Sequence, residues 1–392
     1  MLGSRGDVLP DALVAPLRSL HDRVPARPFE KLRKHVEQQL AIADAEHADE
    51  PATNDAREPV SRATWRGRTD GTRSSRRGRS RRAVSEVFSS IEPEAIAAAS
   101  LAQVHKATLR DGTTVAVKIQ YPEARRLFPI DLGSLRRAVK VTRWLNRSLD
   151  FRPLVTELHH FVLLELQFSR ELVSTKRVRE NLQSDPKIVV PLIYDAYSTD
   201  QMLVLEFITG TALSRAASLR ERGVDLRDIA KRVAELYARM IFTHGFFHGD
   251  PHPGNILVLD DGRIALLDFG LAKELPEGFA GNAARMIAAG MSGDTAKAVE
   301  AARAIGFVVS DAKAPHLITL IKALLGDYEQ AGDLLKQLAP GELEIPHHFT
   351  LIGRVMIILS GVSHTLVPNE RIIGGALLAA LAPHMMAARS AS

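Results

Sequence analysis

The chain has 392 residues, of which 45% are hydrophobic and 25% charged, an ordinary balance for a globular protein with room for two or three domains. It contains no cysteine, which excludes disulfide scaffolds, thiol nucleophiles and cysteine-based zinc or iron–sulfur sites. The 51 basic and 46 acidic residues leave a net charge of +5, which alone would favour nucleic acid or an anionic membrane as a partner.

Residues 1–50 are predicted to form an N-terminal helical extension. Apolar residues recur at helical spacing in two stretches, Leu13, Leu17 and Leu20 followed by Phe29, Leu32, Val36 and Leu40. Charged residues and prolines interrupt residues 1–20, so no secretory signal is recognisable there.

Residues 51–85 contain an arginine-rich insert. Between Arg57 and Arg82 there are ten arginines and only two acidic residues, in a background of serine, glycine and threonine. Because such a segment buries too little apolar surface to offset its ordering entropy, we interpret it as a disordered insert, or else as a basic arm that contacts phosphates or acidic lipids. The insert carries more than the whole net charge, so the rest of the chain is mildly acidic and nucleic acid is no longer the expected partner.

Residues 86–208 are predicted to form a lobe that contains a β-sheet. Residues 104–109 and 113–119 have the pattern of strands, and Asp111-Gly112 between them indicates a hairpin. The lobe is predicted to continue with two helices and two short strands, over residues 125–149, 154–181, 188–190 and 202–207.

Residues 209–392 are predicted to form a mostly helical lobe. An apolar stripe over residues 229–240 indicates one helix, and helical patterns dominate beyond residue 280. The apolar stretches over residues 351–362 and 372–386 fall short of the about 18–20 uninterrupted apolar residues of a membrane span. Arg354 interrupts the first stretch, and a proline and a histidine interrupt the second, so we interpret both as core helices.

A motif for phosphoryl transfer occupies residues 248–255, His-Gly-Asp-Pro-His-Pro-Gly-Asn. Its Asp250 and Asn255 have the spacing of a kinase catalytic loop, in which the aspartate orients the nucleophile and the asparagine binds Mg²⁺. A hairpin predicted over residues 256–267 would bring Asp268, the first residue of Asp-Phe-Gly, back beside Asn255. One base and two metal ligands are therefore expected to meet, while the two histidines of the motif are expected to hold the loop together.

A kinase-like site also requires a lysine on an upstream strand. Lys118 ends the sequence Val-Ala-Val-Lys on the second strand of the first hairpin, where it would contact the α- and β-phosphates of ATP. Glu165 and Glu171 are the candidates for its helical ion-pair partner. The next strand would link the two lobes, with backbone groups around Glu206 and Phe207 contacting the adenine ring.

Two elements of ordinary protein kinases are missing. Ala97, Ala98, Ala99 and Ser100 occupy the place of the glycine-rich loop, and alanine keeps a methyl group between the backbone and the phosphates, so we expect an altered nucleotide clamp. Residues 271–290 contain no Ser, Thr or Tyr, so the phosphorylated segment that positions protein substrates is expected to be absent.

Together these motifs resemble the UbiB (AarF) family of atypical kinases, kinase-like proteins linked to quinone and isoprenoid-lipid metabolism. The resemblance runs from about Ser4 to Lys273 and less distinctly to about Pro368. Within it, residues 97–105 (Ala-Ala-Ala-Ser-Leu-Ala-Gln-Val-His) are similar to the family's alanine-rich replacement for the glycine-rich loop.

The resemblance implies an α+β, two-lobed protein-kinase-like fold with a small β-containing N-lobe, a mostly helical C-lobe and an added N-terminal helical extension. It implies binding of ATP or ADP and of Mg²⁺, with ATPase or lipid-related small-molecule kinase activity. By position, Lys118, Glu171 and Asp250 match the catalytic residues, and Asn255 and Asp268 match the metal ligands. The implied partners are a nucleotide, a lipid or membrane surface and quinone-biosynthesis proteins, for a protein of the cytoplasm or of the inner face of the membrane.

Two features depart from the family pattern. The family's Lys-x-Gly-Gln helix should lie just upstream of residues 4–7, and the chain is expected to begin after it. Where the family has Glu-x-Asp, this chain has Glu165-Leu166-Gln167. Both departures fall on the part that excludes substrates and leave the phosphate-binding residues intact.

Three alternatives stay open from the sequence. An aminoglycoside- or choline-kinase-like phosphotransferase shares the His-Gly-Asp and His-Pro-Gly-Asn strings. A regulatory module could bind nucleotide without turnover. A nucleic-acid-binding protein could use the arginine-rich residues 57–82.

Overall fold

In a computed structural model of the protein, the residues described are 26–47, 82–145, 155, 159, 162–310, 314–324, 343–368, 370 and 372–390. The chain divides into two compact units, the first formed by Met1–Ser169 and Ile193–Phe207, the second by Arg170–Leu192 and Ile208–Ser392. The predicted lobe 86–208 is therefore divided, since residues 170–192 belong to the second unit. Leu13, Leu17 and Leu20, and the arginine-rich run as far as Arg81, lie outside the described residues.

The described part of the first unit combines an antiparallel sheet with helices. Its elements in chain order are a 3₁₀ turn (Phe29–Lys31), α1 (Arg33–His47), α2 (Val84–Val87), β1 (Phe88–Ile91), β2 (Ala97–Ala98), β3 (Ala102–Leu109), β4 (Thr114–Gln120), α3 (Ala124–Leu145), a second 3₁₀ turn (Asp195–Tyr197) and β6 (Met202–Glu206). The strands follow the order β1-β3-β4-β6, and β2 pairs with β3.

The hairpin between β3 and β4 confirms the prediction made from Asp111-Gly112. Gly112 has a φ of +89°, a conformation that favours glycine. The Asp111 carboxylate accepts the backbone N–H of Thr113 at 2.8 Å, which closes the turn.

The core of the first unit lies between one face of this sheet and α1. Val115, Val117 and Ile119 are buried at alternate positions of β4, as a strand with one core face requires. The predicted stripe over Phe29, Leu32, Val36 and Leu40 is confirmed, because all four side chains are buried in the same cluster. The N-terminal extension, as far as it is described, is therefore part of the body of this unit.

The prediction of one continuous helix over residues 154–181 is wrong. A turn separates Glu165 from α4 (Phe168–Leu182). The carbonyl of Leu166 accepts the Gln120 side-chain amide at 3.1 Å and the Arg125 guanidinium at 2.7 Å. These long-range partners hold the chain outside the helical hydrogen-bond ladder just before α4 begins.

The second unit is mostly helical around a small sheet. After most of α4 it contains β5 (Ile188–Val189), β7 (Thr211–Ala212), a 3₁₀ turn (Leu213–Arg215), α5 (Ala216–Glu221), α6 (Leu226–Phe242), β8 (Phe246–Phe247), β9 (Ile256–Val258), β10 (Ile264–Leu266), β11 (Lys273–Glu274), α7 (Phe279–Ser292), α8 (Thr295–Ala304), β12 (Val308–Val309), α9 (Ala314–Leu324), β13 (Leu343–Glu344), α10 (His347–Leu366) and α11 (Ile372–Ser390). One sheet has the order β5-β10-β9-β7, and β8 pairs with β11.

The predicted helix over residues 229–240 is confirmed as part of α6, whose apolar stripe lies in the core of the second unit. The helix begins where the Asp225 carboxylate accepts the backbone N–H groups of Arg227 and Asp228 at 2.9 and 3.1 Å. It ends at Phe242, before Gly245 takes a positive φ of +61°.

Of the described helices, α10 alone has the length and apolar composition that a membrane crossing would require, and 44% of its most apolar window is buried within the fold. Its buried residues, which include Ile352, Val355, Met356 and Leu359, belong to the core of the second unit. This packing agrees with the prediction of a core helix over residues 351–362.

Candidate active site

The alanine-rich segment of the first unit forms a short strand and a tight turn. Ala97 and Ala98 pair with Val104 and Gln103 of β3. The N–H of Ala99 donates to the carbonyl of Ala102 at 2.8 Å, which closes the turn around Ser100. Because Ala97, Ala99 and Ser100 are exposed, their methyl and hydroxymethyl groups line an accessible edge of the sheet. Whether this edge contacts nucleotide stays a prediction.

Lys118 lies in the middle of β4, opposite Val104 of β3 and Leu203 of β6. It is half-buried, and it alternates with the fully buried Val117 and Ile119, so it faces away from the apolar core. Its ammonium nitrogen lies 5.1 Å from the centre of the Phe168 ring, within the range of a cation–π contact.

Glu206 and Phe207 lie where β6 ends, in the first unit. Glu206 is paired with Val115 of β4, and the N–H of Phe207 donates to the carbonyl of Thr114 at 3.4 Å. The ring of Phe207 lies 5.4 Å from the ammonium group of Lys106. The strand predicted over residues 202–207 is confirmed, and the adenine contact stays a prediction.

The catalytic-loop motif in the second unit begins on a buried histidine. The Tyr237 hydroxyl lies 2.7 Å from His248 Nδ1, and the His248 ring meets Phe269 edge-on with centroids 5.2 Å apart. Burial lowers the pKa of His248, against the opposing charges of Asp250 and Asp268, and raises that of Tyr237. Both groups are therefore neutral near pH 7, and His248 links the loop to the Asp-Phe-Gly turn, as the sequence predicted.

The two predicted metal ligands flank the second hairpin, Asn255 directly before β9 and Asp268 two residues after the end of β10. The register of β9 and β10 pairs Ile256 with Leu266, and the N–H of Leu267 donates to the Asn255 carbonyl at 2.8 Å. Asp268 therefore directly follows Leu267, the residue whose backbone is hydrogen-bonded to Asn255. The hairpin predicted over residues 256–267 is confirmed, and so is the return of the chain to Asn255.

Asp268 has an unusual backbone conformation for an aspartate. Its φ is +57°, and among the described residues no other non-glycine residue has a positive φ. Its carboxylate accepts the N–H of Gly270 at 3.2 Å, a local bond that makes this conformation accessible to aspartate. The side chain is exposed, so its oxygens are accessible to a ligand.

Asn255 and Asp268 fit a magnesium ion by the chemistry of their donors, since Mg²⁺ prefers carboxylate and amide oxygens and keeps sites for phosphate and water. No group of three or more His, Asp or Glu side chains suited to a metal occurs within the part of the chain that the structure describes.

Arg354 is a residue that the motif search missed. It lies on α10, and its guanidinium nitrogen is 3.6 Å from the Asp250 carboxylate, with both side chains mostly shielded from solvent. In the sequence this arginine is a lone charge in an apolar stretch, which by itself argues only against a membrane span. A charge in such a stretch indicates a specific partner, because burying it alone is costly.

The structure distinguishes the two glutamate candidates. Glu171 is buried in α4, and a Cβ atom built on Gly270 would lie 3.7 Å from its Oε2 and 3.4 Å from Asp268 Oδ1. One oxygen of each carboxylate, Glu171 and Asp268, therefore lies near the same Cβ position of Gly270. Glu165 is exposed in the turn of helix before the break. The ion pair between Lys118 and Glu171 stays a prediction.

The chain is similar to several known proteins. The family model described as the ABC1 atypical kinase-like domain matches residues 76–302. AarF domain-containing protein kinase 1 of Gallus gallus is 37% identical over 228 residues, which cover 57% of this chain and 44% of that protein. ACTIVITY OF BC1 COMPLEX KINASE 3 of Arabidopsis thaliana, a chloroplastic protein, is 29% identical over 308 residues, 73% of this chain and 42% of that protein.

Among solved structures, the Rv3197–erythromycin complex from Mycobacterium tuberculosis aligns with a TM-score of 0.53 and 25% identity, over 72% of this chain and 78% of that one. The chain spans about half the length of the relatives from chicken and Arabidopsis. The α+β, protein-kinase-like fold expected from the sequence is confirmed. The chain belongs to the ABC1/AarF family of atypical kinase-like proteins, the family that its motifs resemble.

Proposed function

We propose that the protein is an ATP-dependent phosphotransferase or ATPase that requires Mg²⁺ and acts in quinone or isoprenoid-lipid metabolism. The observation that supports the proposal best is the hairpin in which the N–H of Leu267, the residue before Asp268, donates to the Asn255 carbonyl, and after which Asp268 has a positive φ. An exposed carboxylate on a residue with positive φ, close in the backbone to an asparagine, is typical of a ligand site.

Each site residue has a role in this proposal. Asp250 orients the attacking hydroxyl or water and accepts its proton, and Arg354 fixes the position of the Asp250 carboxylate. Lys118 holds the α- and β-phosphates, with Glu171 as its ion-pair partner. Ala97, Ala98, Ala99 and Ser100 cover the nucleotide, and the backbone around Glu206 and Phe207 contacts the adenine, as in the sequence-based expectation.

Asn255 and Asp268 would hold Mg²⁺, which neutralises charge on the transferred phosphoryl group. His248 helps to position this pair, because its buried ring packs on Phe269, the residue after Asp268. Since burial keeps His248 neutral, its role is to position the loop and not to transfer the proton.

The acceptor that we propose is a small hydroxylated molecule or water, with a lipid or membrane surface nearby. The absence of Ser, Thr and Tyr from residues 271–290 argues against an ordinary protein substrate. Peripheral association with the inner face of a membrane and contact with quinone-biosynthesis proteins belong to the same proposal and follow from the family resemblance.

The test uses ATP labelled at the γ-phosphate, with Mg²⁺, and asks where the label goes. We expect label in inorganic phosphate or in a polyprenyl alcohol, and a fall of about a hundredfold in kcat for Asp250→Asn with little change in the KM for ATP. Efficient transfer to an aminoglycoside or an amino alcohol would contradict the lipid assignment. Nucleotide binding without any release of label would contradict turnover and indicate a regulatory module.

A further inference from the structure

A short segment that precedes α1 is fastened to the sheet of the first unit by one buried glutamine. We call this segment, residues 27–29, the strap. The Gln103 side chain accepts the backbone N–H of Arg27 at 2.9 Å and donates to the carbonyl of Arg27 at 2.8 Å. The amide therefore pairs with the strap backbone in both directions, as a neighbouring strand would.

The remaining hydrogen-bonding capacity of Gln103 is also used. Its Oε1 accepts the Tyr121 hydroxyl at 3.1 Å, and its Nε2 contacts His105 Nε2. A glutamine amide has two donor hydrogens and two acceptor lone pairs, so all four are satisfied. Gln103 is 1% exposed, and every bond lost at this depth leaves an unpaired polar group.

This network also fixes the protonation of His105. The Arg27 contacts set the orientation of the Gln103 amide, so its Nε2 can only donate, and His105 Nε2 must accept. The imidazole proton therefore lies on Nδ1, which donates to the Glu92 carbonyl at 2.8 Å. Burial lowers the pKa of His105, which agrees with the neutral form.

Side chains of the strap add to the same contact. The Arg27 guanidinium lies 4.2 Å from the centre of the Tyr121 ring and forms an ion pair with Glu123. The ring of Phe29 meets His105 edge-on at 5.4 Å, and its N–H donates to the carbonyl of Pro93 at 3.3 Å. The strap thus contacts the chain on both sides of β2.

The same residues that hold the strap also hold the alanine-rich turn. Gln103 is the β-partner of Ala98, and Val104, the residue between Gln103 and His105, is the partner of both Ala97 and Lys118. A shift of Gln103 must therefore displace the strand that carries the turn.

We propose that Gln103 and His105 are positioning residues that couple the strap to the alanine-rich turn, so that docking of the strap sets the conformation of the turn and its affinity for nucleotide. The part about affinity rests on the proposed function, whereas the coupling between strap and turn does not. The consequence is that the segment preceding α1 acts on the nucleotide clamp through β3, without contacting the nucleotide.

The experiment compares Gln103→Met with a matched control, Gln39→Met, in the full chain. Gln39 is another buried glutamine of the first unit, 4% exposed, whose Oε1 accepts the Thr199 hydroxyl at 2.7 Å. Both substitutions replace a buried side-chain amide by the similarly shaped methionine side chain. Of the two glutamines, Gln103 is the one that is hydrogen-bonded to the strap. The two readouts are backbone amide exchange and titration with a fluorescent ADP analogue in the presence of Mg²⁺.

We expect Gln103→Met to speed exchange about tenfold at Arg27 and Phe29, the two residues of the strap that carry an amide proton, and also in residues 97–102. The same change should raise the Kd of the analogue about tenfold. Gln39→Met should leave both readouts at the wild-type value. Faster exchange in the strap alone would overturn the coupling. Equal loss of affinity in the two variants would also overturn it, because general destabilisation would then be sufficient.

The proposal can still be tested if Gln103→Met does not fold or if the wild-type protein binds no nucleotide analogue. If Gln103→Met does not fold, Arg27→Ala removes the half-exposed side chain of the strap and should speed exchange in the turn about threefold, whereas unchanged exchange there would overturn the proposal. If the wild-type protein binds no nucleotide analogue, the proposed function fails, and exchange in residues 97–102 still decides whether strap and turn are coupled.

Discussion

At the scale of single residues, the carboxylate of Asp250 has a cationic partner on a distant helix. Arg354 of α10, 104 positions further along the sequence, lies 3.6 Å from it. The motif that contains Asp250 was recognisable from spacing alone. The pairing with Arg354 was not recognisable, because the apolar sequence around this arginine does not indicate which carboxylate it will contact.

We expect Arg354→Gln to lower kcat for ATP turnover by about five- to tenfold, because Asp250 loses a cation in a partly shielded site worth about 1 kcal/mol. Arg354→Lys should recover part of the loss, since the charge remains while the planar geometry does not. Steady-state kinetics at fixed Mg²⁺ give both values. A kcat for Arg354→Gln equal to that of the wild type would contradict the role assigned to the arginine.

At the scale of elements, the strands that carry the site were predictable and the break before α4 was not. Both hairpins have an Asp-Gly turn whose glycine takes positive φ, at Gly112 and Gly262, a signal contained in two adjacent residues. The helical turn before this break ends at Glu165. Its end depends on Gln120 and Arg125, whose side chains donate to the Leu166 carbonyl from more than forty residues away. Tertiary hydrogen bonds of this kind leave no periodic trace in the sequence.

The alanine-rich segment is a second element whose structure could not be predicted from the sequence. From its composition we expected an altered clamp, but its form as β2 comes from pairing with β3. Alanine has a low intrinsic preference for strands, and the register of the neighbouring strand overrides that preference.

The start of the catalytic loop depends on a close backbone approach at Gly249. Its N–H donates to the Leu271 carbonyl at 3.1 Å, and a Cβ atom there would lie 2.3 Å from that oxygen. We expect Gly249→Ala to lower the free energy of unfolding by about 1–3 kcal/mol.

Gly281→Ala is the matched control, because a Cβ in that position of α7 meets nothing within 4 Å. Because Gly281 lies in the first turn of α7, this change should leave stability unchanged or raise it by less than about 1 kcal/mol. Urea denaturation measures both variants. Equal effects of the two substitutions would show that the contact with Leu271 does not constrain the loop.

At the scale of the whole molecule, we expect buried and half-buried histidines to make stability depend on pH. Burial lowers the pKa of five described histidines, His35, His105, His244, His248 and His348. Because their folded pKa values lie below the unfolded value of about 6.5, the unfolded chain binds more protons as the pH falls. Their contribution is fully present above pH 6.5 and is lost as the pH falls through the folded pKa values.

We therefore expect the free energy of unfolding to be lower at pH 5.5 than at pH 7.5, and unchanged between pH 7.5 and pH 8.5. Denaturant titrations at the three pH values at constant ionic strength measure it. Equal or greater stability at pH 5.5 would contradict the burial of these histidines in their neutral form.

The most direct test of the central claim is Mg²⁺-dependent release of phosphate from ATP, measured with and without phospholipid liposomes. We predict release by the wild-type protein that is abolished by removal of Mg²⁺ and falls below about one hundredth in Asp268→Asn, because the amide supplies no charge for the cation. The control is Asp260→Asn, an exposed aspartate of the same hairpin paired with Arg222, which should retain wild-type activity. No Mg²⁺-dependent release by the wild type in either condition, or equal release by Asp268→Asn, would contradict the assignment.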